Sequence, residues 1–295
     1  MRSTRRRGAR RHRAPSSARI RAKGAARPVI YLLFLLLGAC AGVLAGLLGV
    51  GGGLVLVAAL AFVLPTQGVP PAMAMQAALA TSLASIVFTA FSSARSHARR
   101  GSVMWPTVAV LVPGLLVGGW LGSLVAVHLP SATLRWIVAG YCFLAGAQLL
   151  LGSPGARDPG GAEGSPEGAP RDPLVAASGL LIGAVSAVVG IGGGSMTVPL
   201  LIWRGVRPVR AVGTSSACGV AIGLAGAIGY AMHGPKGGLP HGGIGYVLLP
   251  AAICIALASV LTAPLGVRLA HRLSPTHLRR VFALFLFLVG ATLAI

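Results

Sequence analysis

Two stretches, "GLLGVGGGLVLV" at residues 46–57 and "AVVGIGGGSMTV" at residues 187–198, carry the same glycine pattern. They lie inside apolar runs over residues 29–64 and 174–203. As one helix, the first run would be about 54 Å long at about 1.5 Å per residue, whereas the hydrocarbon core of a bilayer is about 30 Å thick. Three consecutive glycines each disfavour a helix interior by about 1 kcal/mol relative to alanine. Each block therefore predicts a break in its helix.

The composition predicts an integral membrane protein. Of 295 residues, 55% are hydrophobic and 10% are charged, and the mean hydropathy is +0.83, whereas soluble domains carry about 25% charged residues. Helices are the expected spans, because isolated strands would leave backbone groups unpaired in lipid. Proline, glycine and charged residues divide the chain into eight apolar segments, which predict an all-α protein of about eight transmembrane helices.

The two halves of the chain match each other. With an offset of 141 the glycines of the first block fall on those of the second, and "ATSL" at 80–83 corresponds to "GTSS" at 213–216. The sequence predicts two duplicated four-helix halves, residues 29–152 and 174–295, with the first helix of each half broken at its glycine block. Residues 153–173 are rich in glycine and proline and are predicted to form a flexible linker.

The net charge of +21 has an uneven distribution. Eleven of the 25 Lys and Arg residues lie in the first 27 positions, which predicts a disordered cytoplasmic tail over residues 1–28 that contacts the bilayer surface. A nucleic-acid-binding tail is disfavoured, because no aromatic residue is interleaved there for base stacking. The four cysteines lie inside apolar segments without a CxxC pair, and they are interpreted as packing residues rather than metal ligands.

A broken helix at membrane depth favours an anionic ligand. The second helix piece begins with unpaired amides at the positive end of its dipole. All four acidic residues lie between residues 158 and 172, so the apolar segments lack the carboxylate that a cation pathway usually needs. Glycines also permit close helix packing, but a packing face needs small residues four apart, not three in succession.

Hydroxyl groups occupy matching places in the two halves, at Thr81 and Ser82 and at Thr214, Ser215 and Ser216. Such groups can donate to oxyanion oxygens, or they can bond to the carbonyl one turn back, as is common in membrane helices. The pattern leaves both readings open. Because no catalytic or metal-binding constellation is visible, the sequence predicts a protein that is not an enzyme and has no cofactor.

The chain resembles the sulfite exporter TauE/SafE family, also called the 4-toluene sulfonate uptake permeases. The resemblance is carried by "GIGGGSMTVPLL" (190–201) with "AVGTSS" (211–216), and by "GVGGGLVLVAAL" (49–60) with "ALATSL" (78–83). The first half departs from the pattern, since Ala58 stands where the second half has Pro199. The resemblance covers about residues 35–295, and it implies a bacterial inner-membrane permease with an eight-helix core that moves sulfite, sulfonates or related small anions.

Two functions follow as hypotheses. The first is an anion permease that binds its substrate near the midplane; the second is a membrane scaffold or assembly factor whose basic tail binds a partner or anionic lipid. The sequence does not determine the anion, the direction of transport or a homo-oligomeric state. The predicted substrate-binding residues are Gly49, Gly51, Gly52, Gly53, Thr81, Ser82, Gly190, Gly192, Gly193, Gly194, Pro199, Thr214, Ser215 and Ser216.

Overall fold

The computed structural model describes residues 17–48, 52–151, 173–235, 239, 242–270 and 275–294. A short antiparallel pair of strands, β1 (Gly243–Ile244) and β2 (Val247–Leu248), precedes the ninth of its ten helices. The helices are α1 (Ser17–Leu48), α2 (Gly53–Thr66), α3 (Ala74–Ala98), α4 (Trp105–His128), α5 (Ser131–Leu151), α6 (Pro173–Val189), α7 (Gly194–Trp203), α8 (Pro208–Met232), α9 (Leu249–Ala270) and α10 (Pro275–Ala294).

Six of the described helices are long and apolar enough to cross a membrane. They are α1, α3, α4, α5, α8 and α9, and the shorter apolar helices include α2 and α7. With 14 and 10 residues, α2 and α7 measure about 21 Å and about 15 Å, less than a hydrocarbon core of about 30 Å. The fold is therefore that of an all-α, multi-pass membrane protein.

The first helix begins earlier than the sequence predicted. α1 starts at Ser17, so residues 17–28 of the basic leader are helical where disorder was expected. The stretch "SARIRAKGAAR" contains several alanine and arginine residues, both of which have high helix propensity, and this accounts for the extension. Residues 1–16 and the linker residues 152–172 lie outside the described residues.

The second glycine block turns the chain back. In a continuous helix Gly193 would lie about 16 Å from Ile182, at about 1.5 Å per residue. In the structure a methyl group built on Gly193 would lie 3.5 Å from Ile182 Cγ2 and 3.5 Å from Ser186 Oγ. The start of α7 therefore lies beside the last turns of α6 instead of continuing their axis.

The first block does the same. A methyl group built on Gly52 would overlap the carbonyl oxygen of Ala41 and would lie 2.8 Å from its Cα atom. Ala41 and Gly52 are as far apart in sequence as Ile182 and Gly193. Each block thus separates two helices, as predicted, and in addition it forms a chain reversal.

Contacts between neighbours define the directions of the helices in the first half. α1 is parallel to α9, since Gly38 packs on Ile255 and Gly46 on Ala263. α9 is parallel to α3, because hydrogen bonds join Ser85 on α3 to the carbonyl of Ala252 and, further along both helices, Ser92 to that of Val260.

α2 runs in the opposite direction. It begins with Gly53 beside Ile86, in the middle of α3, and it ends close in sequence to the first residue of α3. The outer ends of α1 and α2 therefore lie at the same end of the molecule. The run 29–64 therefore forms a returning pair, which means two helices that run in opposite directions and begin and end at the same end of the molecule. The sequence had predicted a single span here.

The second half runs in the reverse direction. α6 is parallel to α4, since Gly114 packs on Ala176 and Gly122 on Ala184. α4 is parallel to α8, since Gly119 packs on Ala225 and Ser123 on Gly229. α8 is antiparallel to α3: Gly223 packs on Leu83, and nearer the other end Ser216 is hydrogen-bonded to Ser93. Each of the helices α6–α10 consequently runs in the direction opposite to that of its counterpart among α1–α5.

Corresponding helices also use corresponding contacts. A methyl group built on Gly266 of α9 would overlap the carbonyl oxygen of Val43 on α1, and one built on Gly122 of α4 would overlap that of Ala184 on α6. Gly266 follows Gly122 by 144 residues, and Ala184 follows Val43 by 141, which are the two offsets at which the halves match in sequence. The interfaces α1–α9 and α4–α6 are thus equivalent.

One end of the molecule carries most of the described arginines. The end of α3, the connection between α7 and α8 and the end of α9 meet there, since Arg100 bonds to Val267 and Gly213 packs on Ser102. All but one of these arginines are exposed, and the exception, Arg204, is half-buried. They are Arg95, Arg99, Arg100, Arg204, Arg207, Arg210 and Arg268.

Candidate anion site at the two chain reversals

The two reversals meet in the interior. A methyl group built on Gly53, the first residue of α2, would lie 2.5 Å from the carbonyl oxygen of Gly190 and 3.1 Å from the Cα atom of Ile191. Gly53, Gly190 and Gly194 are all buried. The amino-terminal ends of α2 and α7 therefore lie near the centre of the protein, where their dipoles favour an anion.

Left-handed backbone at the reversals requires glycine. Gly52 precedes α2 with φ 60°, and Gly193 precedes α7 with φ 74°. Gly190 has φ 77°, and the amides of Gly190 and Ile191 both donate to the carbonyl of Ser186, at 2.8 and 3.0 Å. These two bonds end α6 in the manner of a glycine C-cap.

Ser82 connects the two reversals. Its hydroxyl donates to the carbonyl of Gly190 at 3.1 Å, and the carbonyl of Gly53 lies at 3.3 Å from the same oxygen. Ser82 is 0% exposed. A serine of the first half thus supports the backbone of the second block.

Replacing Ser82 with alanine should lower the free energy of unfolding by about 1–3 kcal/mol, because it leaves a buried carbonyl without its donor. The measurement is thermal or denaturant unfolding of the purified protein in detergent. Ser178→Ala is the matched control, since Ser178 is half-buried and bonds only locally, to the carbonyl of Val175 at 2.7 Å. Equal stability of the two variants would remove Ser82 as the link between the reversals.

The matching threonines have a structural role in both halves. The hydroxyl of Thr81 accepts a hydrogen bond from the amide of Leu248 at 3.0 Å, and that of Thr214 accepts one from the amide of Met104 at 3.1 Å. Leu248 immediately precedes α9 and Met104 immediately precedes α4, so each bond anchors the start of a helix. These contacts support the reading of Thr81 and Thr214 as packing residues within the repeat.

The remaining predicted residues lie in different settings. The hydroxyls of Ser215 and Ser216 both donate to the carbonyl of Val212 at 3.0 Å, which is the bond to the preceding turn that the sequence left open. Pro199 lies half-buried inside α7. Gly192 is buried, and its carbonyl faces Gly219 of α8. Gly49 and Gly51 lie outside the described residues.

α3 has a buried polar face with one residue in each turn. The hydroxyl of Thr89 lies 2.5 Å from that of Ser259 on α9, and the hydroxyl of Ser93 lies 3.1 Å from that of Ser216 on α8. These bonds hold α3 between the two neighbouring helices. The face comprises Thr81, Ser85, Thr89, Ser93 and His97, none more than 1% exposed.

Sequence reasoning missed three side chains at the second reversal. Ser186, on the last turn of α6, and Thr197, on the first turn of α7, are buried beside the glycine block. Ser195 bonds through its hydroxyl to that of Tyr141 on α5. The available signal was their proximity in sequence to the block, together with the absence of hydroxyl residues at the corresponding positions of the first half.

The geometry defines a helical membrane protein in which two returning helix pairs meet at their glycine turns in the interior. The sequence profile of the sulfite exporter TauE/SafE family matches residues 34–293. The chain therefore belongs to this family of membrane transporters, as the glycine and Thr-Ser motifs indicated.

Named relatives support the same class. A "Probable membrane transporter protein" of Haemophilus influenzae is 35% identical over 260 residues, which cover 88% of this chain and 96% of the relative. A protein of Methanocaldococcus jannaschii with the same description is 27% identical over 264 residues, covering 88% of this chain and 93% of the relative. No solved structure matches the chain significantly.

Proposed function

We propose that the protein is a permease for small anions, with sulfite and sulfonates as the substrate class. The observation that carries this proposal is that the amino terminus of α2 meets the turn leading into the amino terminus of α7, at a buried centre. All four acidic residues of the chain lie between residues 158 and 172, outside every described helix. The electrostatics at the centre therefore favour a negative charge.

The fold supports an origin by duplication. The equivalent interfaces α1–α9 and α4–α6, and the equivalent bonds of Thr81 and Thr214, relate α1, α3 and α4 to α6, α8 and α9. The two sets run in opposite directions, which is the inverted repeat used by many secondary transporters. In this proposal each half has three crossing helices, α3–α5 in one and α8–α10 in the other, and one returning pair, in place of four single spans.

The burial of the site supports a carrier. The described glycines at both reversals are buried, so a bound anion there would be closed off from both sides of the membrane. Release then requires a movement of one half against the other, as in alternating access. The arginine-rich end would raise the local anion concentration at one mouth of the pathway.

The cell membrane of a bacterium is the proposed location, with the amino terminus in the cytoplasm. The eleven basic residues of the leader favour this orientation. Basic residues favour the cytoplasmic side of a membrane. The described arginines at the end of the molecule away from the leader therefore favour the reverse orientation. A reporter fused to the amino terminus tests the proposal: activity on the outer side would overturn it.

Purified protein in proteoliposomes should move radiolabelled sulfite, a sulfonate or sulfoacetate faster than empty liposomes. Flux is measured with and without a pH gradient, on the full chain and on a chain lacking residues 1–25. A permease keeps its flux after this deletion, because the reversals remain. Absence of flux for every anion tested, with function lost on removal of the leader, would favour the scaffold instead.

A further inference from the structure

Two buried hydroxyls flank the second reversal without a hydrogen-bond partner in the described part of the chain. They belong to Ser186 and Thr197, each 0% exposed. Buried polar groups in folded proteins are almost always hydrogen-bonded, because an unpaired one is destabilising. Two such groups on either side of one turn indicate that a ligand supplies the missing partner.

Both hydroxyl residues lie at the amino-terminal end of α7. The Oγ atom of Ser186 is 3.5 Å from the position of a methyl group built on Gly193, and the amide of Thr197 donates to the carbonyl of Gly193 at 2.8 Å. The amides of Gly194 and Ser195 have no acceptor among the described residues, as is usual for the first residues of a helix. The second reversal thus presents four uncharged donors.

The first reversal has a different chemistry. With the offset of 141, the counterparts of Ser186 and Thr197 are Ala45 and Leu56, both buried. A methyl and an isobutyl group cannot donate to an oxyanion. The duplicated frame therefore carries hydroxyl donors on one side only.

We propose that the permeated anion binds at the second reversal alone, held by the hydroxyls of Ser186 and Thr197 and the amides of Gly194 and Ser195. This proposal rests on the proposed permease function and deepens it. A sulfite ion or sulfonate group fits the donor set, because its three oxygens accept hydrogen bonds. The first reversal then serves as a support, through the contact of Gly53 with Gly190.

The test is binding of sulfite to the full-length protein in nanodiscs, measured by calorimetry and by the shift in melting temperature. Ser186→Ala and Thr197→Val should each weaken sulfite binding about tenfold or more, since each removes a bond to a charged group. The melting temperature without sulfite should stay the same or rise, because the hydroxyls have no partner in the free protein. Ser178→Ala, two turns earlier on α6, should leave the affinity within about twofold.

The outcomes separate this proposal from the permease function. If the wild type binds sulfite and the double variant Ser186→Ala/Thr197→Val binds it equally well, the site at the second reversal is overturned and the permease stands. A variant that only melts earlier, with unchanged affinity, also overturns the site. If the wild type binds neither sulfite nor methanesulfonate and moves neither, the permease proposal fails with it.

Discussion

Replacing Gly193 with leucine is expected to abolish anion flux, to below about one hundredth of the wild-type rate, while the protein still inserts into the membrane. Gly193 has φ 74°, a backbone conformation that costs a residue with a side chain about 1–2 kcal/mol. A Cβ atom there would overlap Ile222 Cδ1, and Ile222 is 0% exposed. Leucine at this position therefore either fills the space beside Ser186 or displaces the start of α7.

The matched control for this variant is Gly205→Leu. Gly205 has a similar φ of 80°, but a methyl group built on it would have no neighbour within 4 Å. Both variants carry the same backbone strain, and only Gly193→Leu changes the packing of the reversal. Flux is measured in proteoliposomes that contain equal amounts of inserted protein. Similar flux for Gly193→Leu and Gly205→Leu would contradict the placement of the pathway at the second block.

Replacing Gly118 with leucine should have the largest effect on folding. Gly118 lies on α4 where its backbone touches α6: a Cβ atom would overlap the carbonyl oxygen of Leu180 and would lie 2.9 Å from the amide nitrogen of Ala184. The overlapping atoms belong to backbone, so no side chain can move aside. Separating α4 from α6 should lower the free energy of unfolding by about 3 kcal/mol or more, because the helices then lose close packing along their contact.

Gly140→Leu provides the control for a helical glycine. Gly140 lies exposed on α5, and a methyl group built on it has no neighbour within 4 Å. Leucine there should be neutral or slightly stabilising, since glycine disfavours a helix by about 1 kcal/mol relative to alanine. The yield of folded protein and the melting temperature in detergent report the result. An unchanged melting temperature for Gly118→Leu would show that α4 and α6 are not closely packed.

Part of the site was predictable because it depends on local backbone preference. Consecutive glycines at 192–194 disfavour a helix interior wherever they occur, so the interruption between α6 and α7 was visible in the sequence. The partner of Ser82 was not visible, because the carbonyl of Gly190 is 108 residues away in the chain. Ser186 and Thr197 were missed for a related reason. The sequence shows a hydroxyl in an apolar run, but only the structure shows that it is buried without a hydrogen-bond partner.

The sequence by itself determined that this is a helical membrane protein with a helix break at each of two glycine blocks, and its motifs identified the TauE/SafE family. Only the tertiary structure decided that each break reverses the chain, that the second half runs opposite to the first, and that the two breaks meet. The physical reason is that hydropathy and glycine content act within a few residues, whereas direction depends on left-handed backbone at Gly52 and Gly193 and on contacts between distant helices. The direction of each helix therefore cannot be predicted from a local sequence pattern.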